Sequence, residues 1–274
     1  MKRIAVVSNI HTAIKPQDVA RICEVLRGCG ATVQEMQFCA GEALCVENVD
    51  CIVAIGGDGT IMHIAKQAAS LSVPVLGINS GKLGFLAGME MDELHLLQDL
   101  VDGKYITEER LLLDVTVKGV DKSYLAMNEA VLSRGALSRL VDVAVTSGER
   151  EIMCCRADGV MVASPTGSTA YSLSAGGPVV DPQVPCLLLT PICPHSLYAR
   201  SYVLPAQTEL CIRTTDGRGE TFLTVDGEME VPLTTDGMVY VKRSNLTAKL
   251  IRLQERSFYD VLDKKLIGRE DGRK

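Results

Sequence analysis

No apolar run in the sequence is long enough to cross a membrane, since a spanning helix needs about 20 consecutive apolar residues. No secretory leader is expected either. In MKRIAVVSNIHT a basic pair precedes an apolar stretch too short for the core of a signal peptide. A CxxC pair is absent, and the ten cysteines, with Cys154 and Cys155 the one close pair, lack metal-ligand spacing. A large acidic chain needs no disulfide framework, so buried free thiols in a cytoplasmic protein are expected. Basic excess is missing as well. A net charge of -6 disfavours nucleic acid or an anionic membrane as a partner. Neither an internal repeat nor a low-complexity tract occurs. What is present is a chain of 274 residues, 47% hydrophobic and 23% charged, enough for one or two buried cores.

The first third alternates strand and helix. Ile4 to Val7 reads as a short buried strand, and Val19, Ile22, Cys23 and Leu26 fall on one helical face. Cys51 to Ile55 and Val73 to Ile78 are the next strands, with Ile61, Ile64, Ala65 and Ala68 repeating the helical spacing between them. MDELHLLQDLV reads as helix. Such βαβ alternation implies an α/β domain with a mainly parallel sheet covered by helices. From Ile106 the pattern changes. LLLDVTVKG, VDVAVTS, ELCIRTT, TFLTVDG and VYVKRSN are short β-branched or alternating runs broken by Gly, Asp and Ser, which predicts a β-rich, sandwich-like domain. RSFYDVLDKKLIG is helical again, with Val261, Leu262 and Leu266 able to share a face. The expected division is residues 1–105 plus 253–274 for the α/β domain and 106–252 for the β-rich one.

Two familiar phosphate motifs fail. GCGATV at Gly28 lacks a third glycine and follows a helix, so it reads as a helix end with Gly30 as cap. GINSGKLG at Gly77 has its glycines one residue too close for a P-loop, and no Ser or Thr follows Lys82. GGDGT, Gly56 to Thr60, survives. It joins a buried strand to an amphipathic helix, where glycines let backbone N–H groups approach a phosphate and the helix start adds positive dipole. A tight turn capped by Asp58 is the plainer reading. An aspartate would repel a phosphate unless it held Mg²⁺ shared with it, or took the proton from a hydroxyl attacking it. Both roles point to phosphoryl transfer onto an alcohol.

The second unusual stretch is RADGVMVASPTGSTAYSLSAGGPVV, Arg156 to Val180. Its small hydroxyl residues and glycines around Tyr171 suit a flat, polar ligand such as a nucleoside. Alternatively it is a tightly packed turn whose hydroxyls cap one another. Taken with GGDGT, GINSGKLGFL, NEAVL at Asn128, PICPHSL at Pro191 and RSFYDVLDKKL, in that order, it resembles the NAD kinase family over nearly the whole chain. GGDGT alone is shared with diacylglycerol and sphingosine kinases; the PTGSTAYSLSAGGP run is far more specific.

The resemblance implies ATP-dependent phosphorylation of NAD on the 2′-hydroxyl of its adenosine ribose, Mg²⁺ or another divalent ion, a homodimer or homotetramer, and a tail helix that returns to the first domain. By position it makes Asp58 the general base, with Gly56, Gly57 and Gly59 shaping its turn and His63 near the dinucleotide. Asn128 and Glu129 match a nucleotide-touching pair, though without the resemblance they read as a polar strand end. Arg139 and Arg156 match basic positions, though both also read as surface charges. Asp158 matches a ligand-contacting aspartate. Thr169, Ala170, Tyr171, Ser172, Leu173 and Ser174 match the segment around the dinucleotide, with Tyr171 able to stack on a base. The chain departs from the family at Glu228, where glutamine is common, and at Ser201, where proline is. Glu228 keeps an acceptor and loses donors. Rival readings are a lipid or sugar kinase of the GGDGT group and a non-catalytic dinucleotide sensor.

Overall fold

In the computed structural model the described residues are 2–9, 14–39, 42–81, 84–135, 140–215, 220–234, 237–254 and 257–266, without the side chains of Met229 and Leu266. The chain divides into two compact units, Met1–Glu109 with Thr247–Lys274, and Arg110–Leu246.

The first unit holds β1 (Arg3–Asn9), α1 (Pro16–Gly28), β2 (Thr32–Phe38), β3 (Cys51–Gly56), α2 (Asp58–Ser70), β4 (Val75–Asn79), β5 (Met89–Glu90) and α3 (Leu97–Asp102). Its sheet runs β2-β1-β3-β4, all parallel, with β5 parallel to the end of β4. Buried strands of this kind carry unbroken apolar runs, and β3 and β4 are buried throughout. Alternate side chains go to opposite faces. Ile4, Val6, Val53, Ile55, Leu76 and Ile78 meet the apolar stripe of α1 and the Leu97 and Leu100 side chains of α3. A Cβ at Gly77 would strike Ile61, so α2 lies close over the other face. α1 has Pro16 in its first turn and ends before Gly30 at φ +90°, the left-handed cap position that glycine adopts without strain. β2 has no counterpart among the expected strands. TVQEMQF forms the sheet edge and buries little but Phe38, so it carries no apolar run. MDELHLLQDLV yields a 3₁₀ turn, Leu94–Leu96, before the short α3.

The second unit contains β6 (Ile106–Val117), β7 (Ser123–Ala126), β8 (Glu129–Arg134), β9 (Val141–Ser147), β10 (Arg150–Ala157), β11 (Gly159–Ala163), α4 (Tyr171–Ser174), β12 (Cys186–Ile192), β13 (Tyr202–Pro205), β14 (Leu210–Thr214), β15 (Thr221–Val225), β16 (Met229–Leu233) and most of β17 (Met238–Arg252). One antiparallel sheet has the order β13-β12-β11-β8-β15-β16, and β10-β9-β14-β17 forms a second. Leu132, Val160, Leu187 and Leu223 of the first pack with Val143, Val145, Ile212 and Val239 of the second in one core, a β-sandwich. β17 ends in the first unit, where Leu250 pairs in parallel with Val75. The chain then forms α5 (Phe258–Leu266).

All ten cysteines are free thiols. Burial pushes Cys51 up to about 12 and raises Cys23, Cys155 and Cys186. The expectation of burial fails for Cys45, Cys154 and Cys193, which are exposed. Among the described residues no helix is long and apolar enough to cross a membrane.

Candidate active site

β3 delivers a rigid, buried strand end to the glycine turn, and α2 opens at Asp58 behind it. Gly57, in an extended conformation, is the N-cap position and makes no side-chain cap bond. Asp58 therefore does not cap the helix. Its carboxylate faces the loop after β4 instead, taking the Phe85 N–H on Oδ2 at 2.9 Å and the Leu86 N–H on Oδ1 at 3.0 Å. The loop can come this near because residue 84 is glycine; a Cβ there would run into Oδ1. Lys265 of α5 places its ammonium 3.1 Å from Oδ2. The Asp58 and Lys265 side chains keep 33% and 31% exposure, so a substrate can reach the pair. Gly57 and Gly59 have open space where a Cβ would lie, while Gly56 is tight against Thr60. His63, on α2, is half-buried with its ring 4.8 Å from that of Phe38.

The loop that holds Asp58 is itself held. The buried guanidinium of Arg252 pairs with Glu108 at 3.0 Å and donates to the carbonyls of Phe85 and Leu86 at 3.2 and 3.3 Å and to that of Ala87. The carbonyls of this segment thus point to Arg252, and its amides to Asp58. Neither Lys265 nor Arg252 was marked by the sequence reading.

In the second unit, Asn128 and Glu129 lie at the start of β8, against the loop after β11. Ser164 N–H donates to the Asn128 carbonyl at 2.8 Å, and Gly167 packs so close to that carbonyl that a Cβ would collide with it. Asp226 fastens the same segment from the other side. Its buried carboxylate accepts the N–H groups of Met127, Asn128 and Glu129 at 2.9, 2.7 and 3.0 Å. Asp226 and Gly227 have φ of 49° and 68° in a turn closed by Glu228 N–H to the Val225 carbonyl. Glu228 is exposed on this turn. Burial, then the Asp226 charge, pushes the Glu129 carboxyl up to about 7. Among the described residues, Glu129 Oε2 and Thr166 Oγ1 are buried with no hydrogen-bond partner. Buried polar atoms are nearly always paired, so two such orphans at neighbouring segments suit a ligand's donors.

The hydroxyl-rich stretch divides in two. Ser164, Ser168 and Ser172 are buried and spent on the fold, bonded to the Met127 carbonyl, to Val180 and to Thr190. Thr169 also donates to the Thr166 carbonyl at 3.4 Å, so bonding within the fold uses several of its hydroxyls. Thr169 and Ala170 are half-buried, Leu173 likewise, and Tyr171 and Ser174 are exposed. Tyr171 offers a ring face 46% exposed, open to stacking.

Arg156 and Asp158 are not brought to Glu129. Ala163 pairs with Glu129 and Gly159 with Ser133, so the strand separates Asp158 from Glu129 by on the order of 17 Å at about 3.3 Å per residue. Asp158 accepts the Arg134 Nε–H at 2.6 Å, an ion pair not foreseen. Arg156 is exposed, 3.9 Å from Asp142. Arg139 lies outside the described residues.

A resident metal does not fit this donor set. Among the described residues no three His, Cys, Asp or Glu side chains form a group able to hold an ion. The one carboxylate at the glycine turn already receives two amides and an ammonium.

The arrangement at Asp58 is a carboxylate oriented by backbone amides at a helix N-terminus, which suits proton acceptance beside a phosphate. Family models for the ATP-NAD kinase N-terminal domain and the ATP-NAD kinase C-terminal domain match residues 6–105 and 127–253. The chain belongs to the NAD kinase family. It is 49% identical over 224 residues to the NAD kinase of Symbiobacterium thermophilum, covering 80% of this chain and 79% of that protein. It is 43% identical over 218 residues to the NAD kinase of Moorella thermoacetica, covering 78% and 70%. Among solved structures it is similar to an NAD kinase from Archaeoglobus fulgidus in complex with ATP, with TM-score 0.77, 28% identity and 97% of each chain covered. It is also similar to yeast NADH kinase complexed with NADH, with TM-score 0.84, 25% identity, and 100% of this chain and 89% of that one covered.

Proposed function

We propose that the protein transfers the γ-phosphoryl group of ATP to the 2′-hydroxyl of the adenosine ribose of NAD, forming NADP and ADP. Asp58 accepts the hydroxyl proton. The oxygen left behind forms the new bond to the γ-phosphorus, and the bond to the β–γ bridging oxygen breaks with its electron pair leaving on ADP. The observation that carries this reading is the Asp58 carboxylate, fixed by two amides at the start of α2 and open to solvent, in a chain matched along most of its length by the family. A divalent cation enters with the phosphates of ATP as part of the substrate.

Asn128, Glu129, Thr166 and the segment Thr169 to Ser174 are the dinucleotide contacts. The orphaned acceptor on Glu129 and the exposed Tyr171 ring support that role. His63 and the Gly56–Gly59 turn serve the nucleotide phosphates, and Glu228 the dinucleotide. Arg156 and Asp158 contact it at a different point from Glu129. The protein acts in the cytoplasm as a homodimer or homotetramer, and the exposed Leu197, Tyr198 and Val203 are apolar surface of the kind that assembly covers. Light scattering on the purified protein reads the assembly. Incubation with NAD, ATP and Mg²⁺ tests the function: NADP should form, and its absence with ATP and polyphosphate alike would return the lipid-kinase and sensor readings.

A further inference from the structure

Asp58 has two carboxylate oxygens, and the residues around it treat them unequally. Oδ1 receives one donor, the Leu86 amide at 3.0 Å. Oδ2 receives two, the Phe85 amide at 2.9 Å and the Lys265 ammonium at 3.1 Å. A carboxylate oxygen offers two lone-pair sites. Oδ2 is thereby filled by the described donors, and Oδ1 keeps one site.

The cation on Oδ2 is placed by the tail helix. Phe258, Val261, Leu262 and Lys265 are spaced i, i+3, i+4 and i+7 along α5 and are its half-buried residues. One face of the helix is thus turned inward, and that face ends in a charge. The Lys265 ammonium also lies 4.2 Å from the centroid of the Phe85 ring, an attractive cation–π distance. The Phe85 ring in turn stands 5.8 Å from that of Phe258, about two turns back on the same helical face. Phe85 therefore touches Asp58 through its amide, Lys265 through its ring face, and the root of α5 through Phe258. A pair this exposed adds little to stability, so the contact has no evident purpose in folding.

We propose that Lys265 is a positioning residue for phosphoryl transfer: by occupying Oδ2 with the Phe85 amide, it leaves Oδ1 as the atom that takes the proton from the attacking hydroxyl. Without the ammonium, Oδ2 competes for the hydroxyl, and the carboxylate loses one of the three contacts that orient it. This rests on the reading of Asp58 as base.

The test compares wild type, Lys265→Met, Lys265→Arg, Lys265→Ala and Asp58→Asn as full-length proteins with NAD, ATP and Mg²⁺. For Lys265→Met, kcat should fall about 10- to 100-fold, the scale of a misplaced reacting group, with both KM values within about twofold of wild type. Lys265→Arg should recover most of kcat. Added ethylamine should raise the rate of Lys265→Ala in a saturable way, a readout that stands even if the Met variant folds poorly. Wild-type kcat in Lys265→Met beside an inactive Asp58→Asn would overturn the proposal. So would a loss confined to the KM for ATP, which would make Lys265 a phosphate anchor. Full activity in Asp58→Asn would overturn the base assignment and this proposal with it. No NADP from wild type would instead overturn the functional reading.

Discussion

The Asp226 carboxylate takes the Glu129 backbone N–H at 3.0 Å while its charge adds to the burial that raises the Glu129 side chain to about 7. Backbone attraction and side-chain repulsion act between the same two residues. The folded state thus prefers Glu129 protonated over a range in which the unfolded chain ionises it. Its contribution to stability is present in full below the ordinary glutamate value of 4.5, is lost as pH rises toward about 7, and is flat beyond. At about 1.4 kcal/mol per unit the loss is on the order of 3 kcal/mol. Urea denaturation at pH 5 and pH 8 should show Glu129→Gln losing less stability than wild type across that interval. Equal losses would remove Glu129 as the source.

Asp226 satisfies three backbone N–H groups of residues 127–129. Asp226→Ala leaves them without their acceptor, at about 1–3 kcal/mol for each that stays buried. A drop of several kcal/mol in the urea-derived stability is expected. Asp226→Asn keeps an acceptor, tolerates the positive φ and removes the charge. It should cost less and shrink the pH slope assigned to Glu129.

Arg252 joins Glu108 to the carbonyls of Phe85, Leu86 and Ala87. Arg252→Leu takes the guanidinium away from Glu108 and from three carbonyls, and breaking one partner of a buried pair costs about 3–5 kcal/mol. Thermal melting should fall markedly, and kcat should fall in the protein that remains folded. An unchanged melting temperature would show that the loop holds its shape without the guanidinium.

Gly84→Ala introduces a Cβ where Asp58 Oδ1 stands. The carboxylate or the loop must move, and a shift of about 1 Å at a reacting group can cost about 10²-fold in rate. Steady-state kinetics should show a large fall in kcat with NAD binding by calorimetry near wild type. Wild-type kcat would mean that Asp58 is not held where it acts.

Much of the first unit was legible because β3, β4 and α1 display their burial directly as apolar runs or helical spacing. β2 was not, since an edge strand with one buried side chain leaves no apolar signature. GGDGT marked the glycine turn and Asp58 in the sequence, but Lys265 lies 207 residues from Asp58. A single lysine on a tail helix looks like any solvated charge until the fold brings it back. Asp226 carried no signal of its own in the sequence. Its three amide partners, 97 to 99 residues away, make it a fastening for the loop that carries Glu129. The serines of the Ser-Thr-Gly run could not be sorted into structural and ligand-facing sets by composition, because both uses favour small hydroxyl residues.

The central claim is that Asp58 removes the proton from the attacking hydroxyl. Its most direct test is kcat for NADP formation by Asp58→Asn beside wild type, with NAD affinity measured on both. The expected result is a fall of about 10²–10⁴-fold with dinucleotide binding little changed. Turnover near wild type would contradict it.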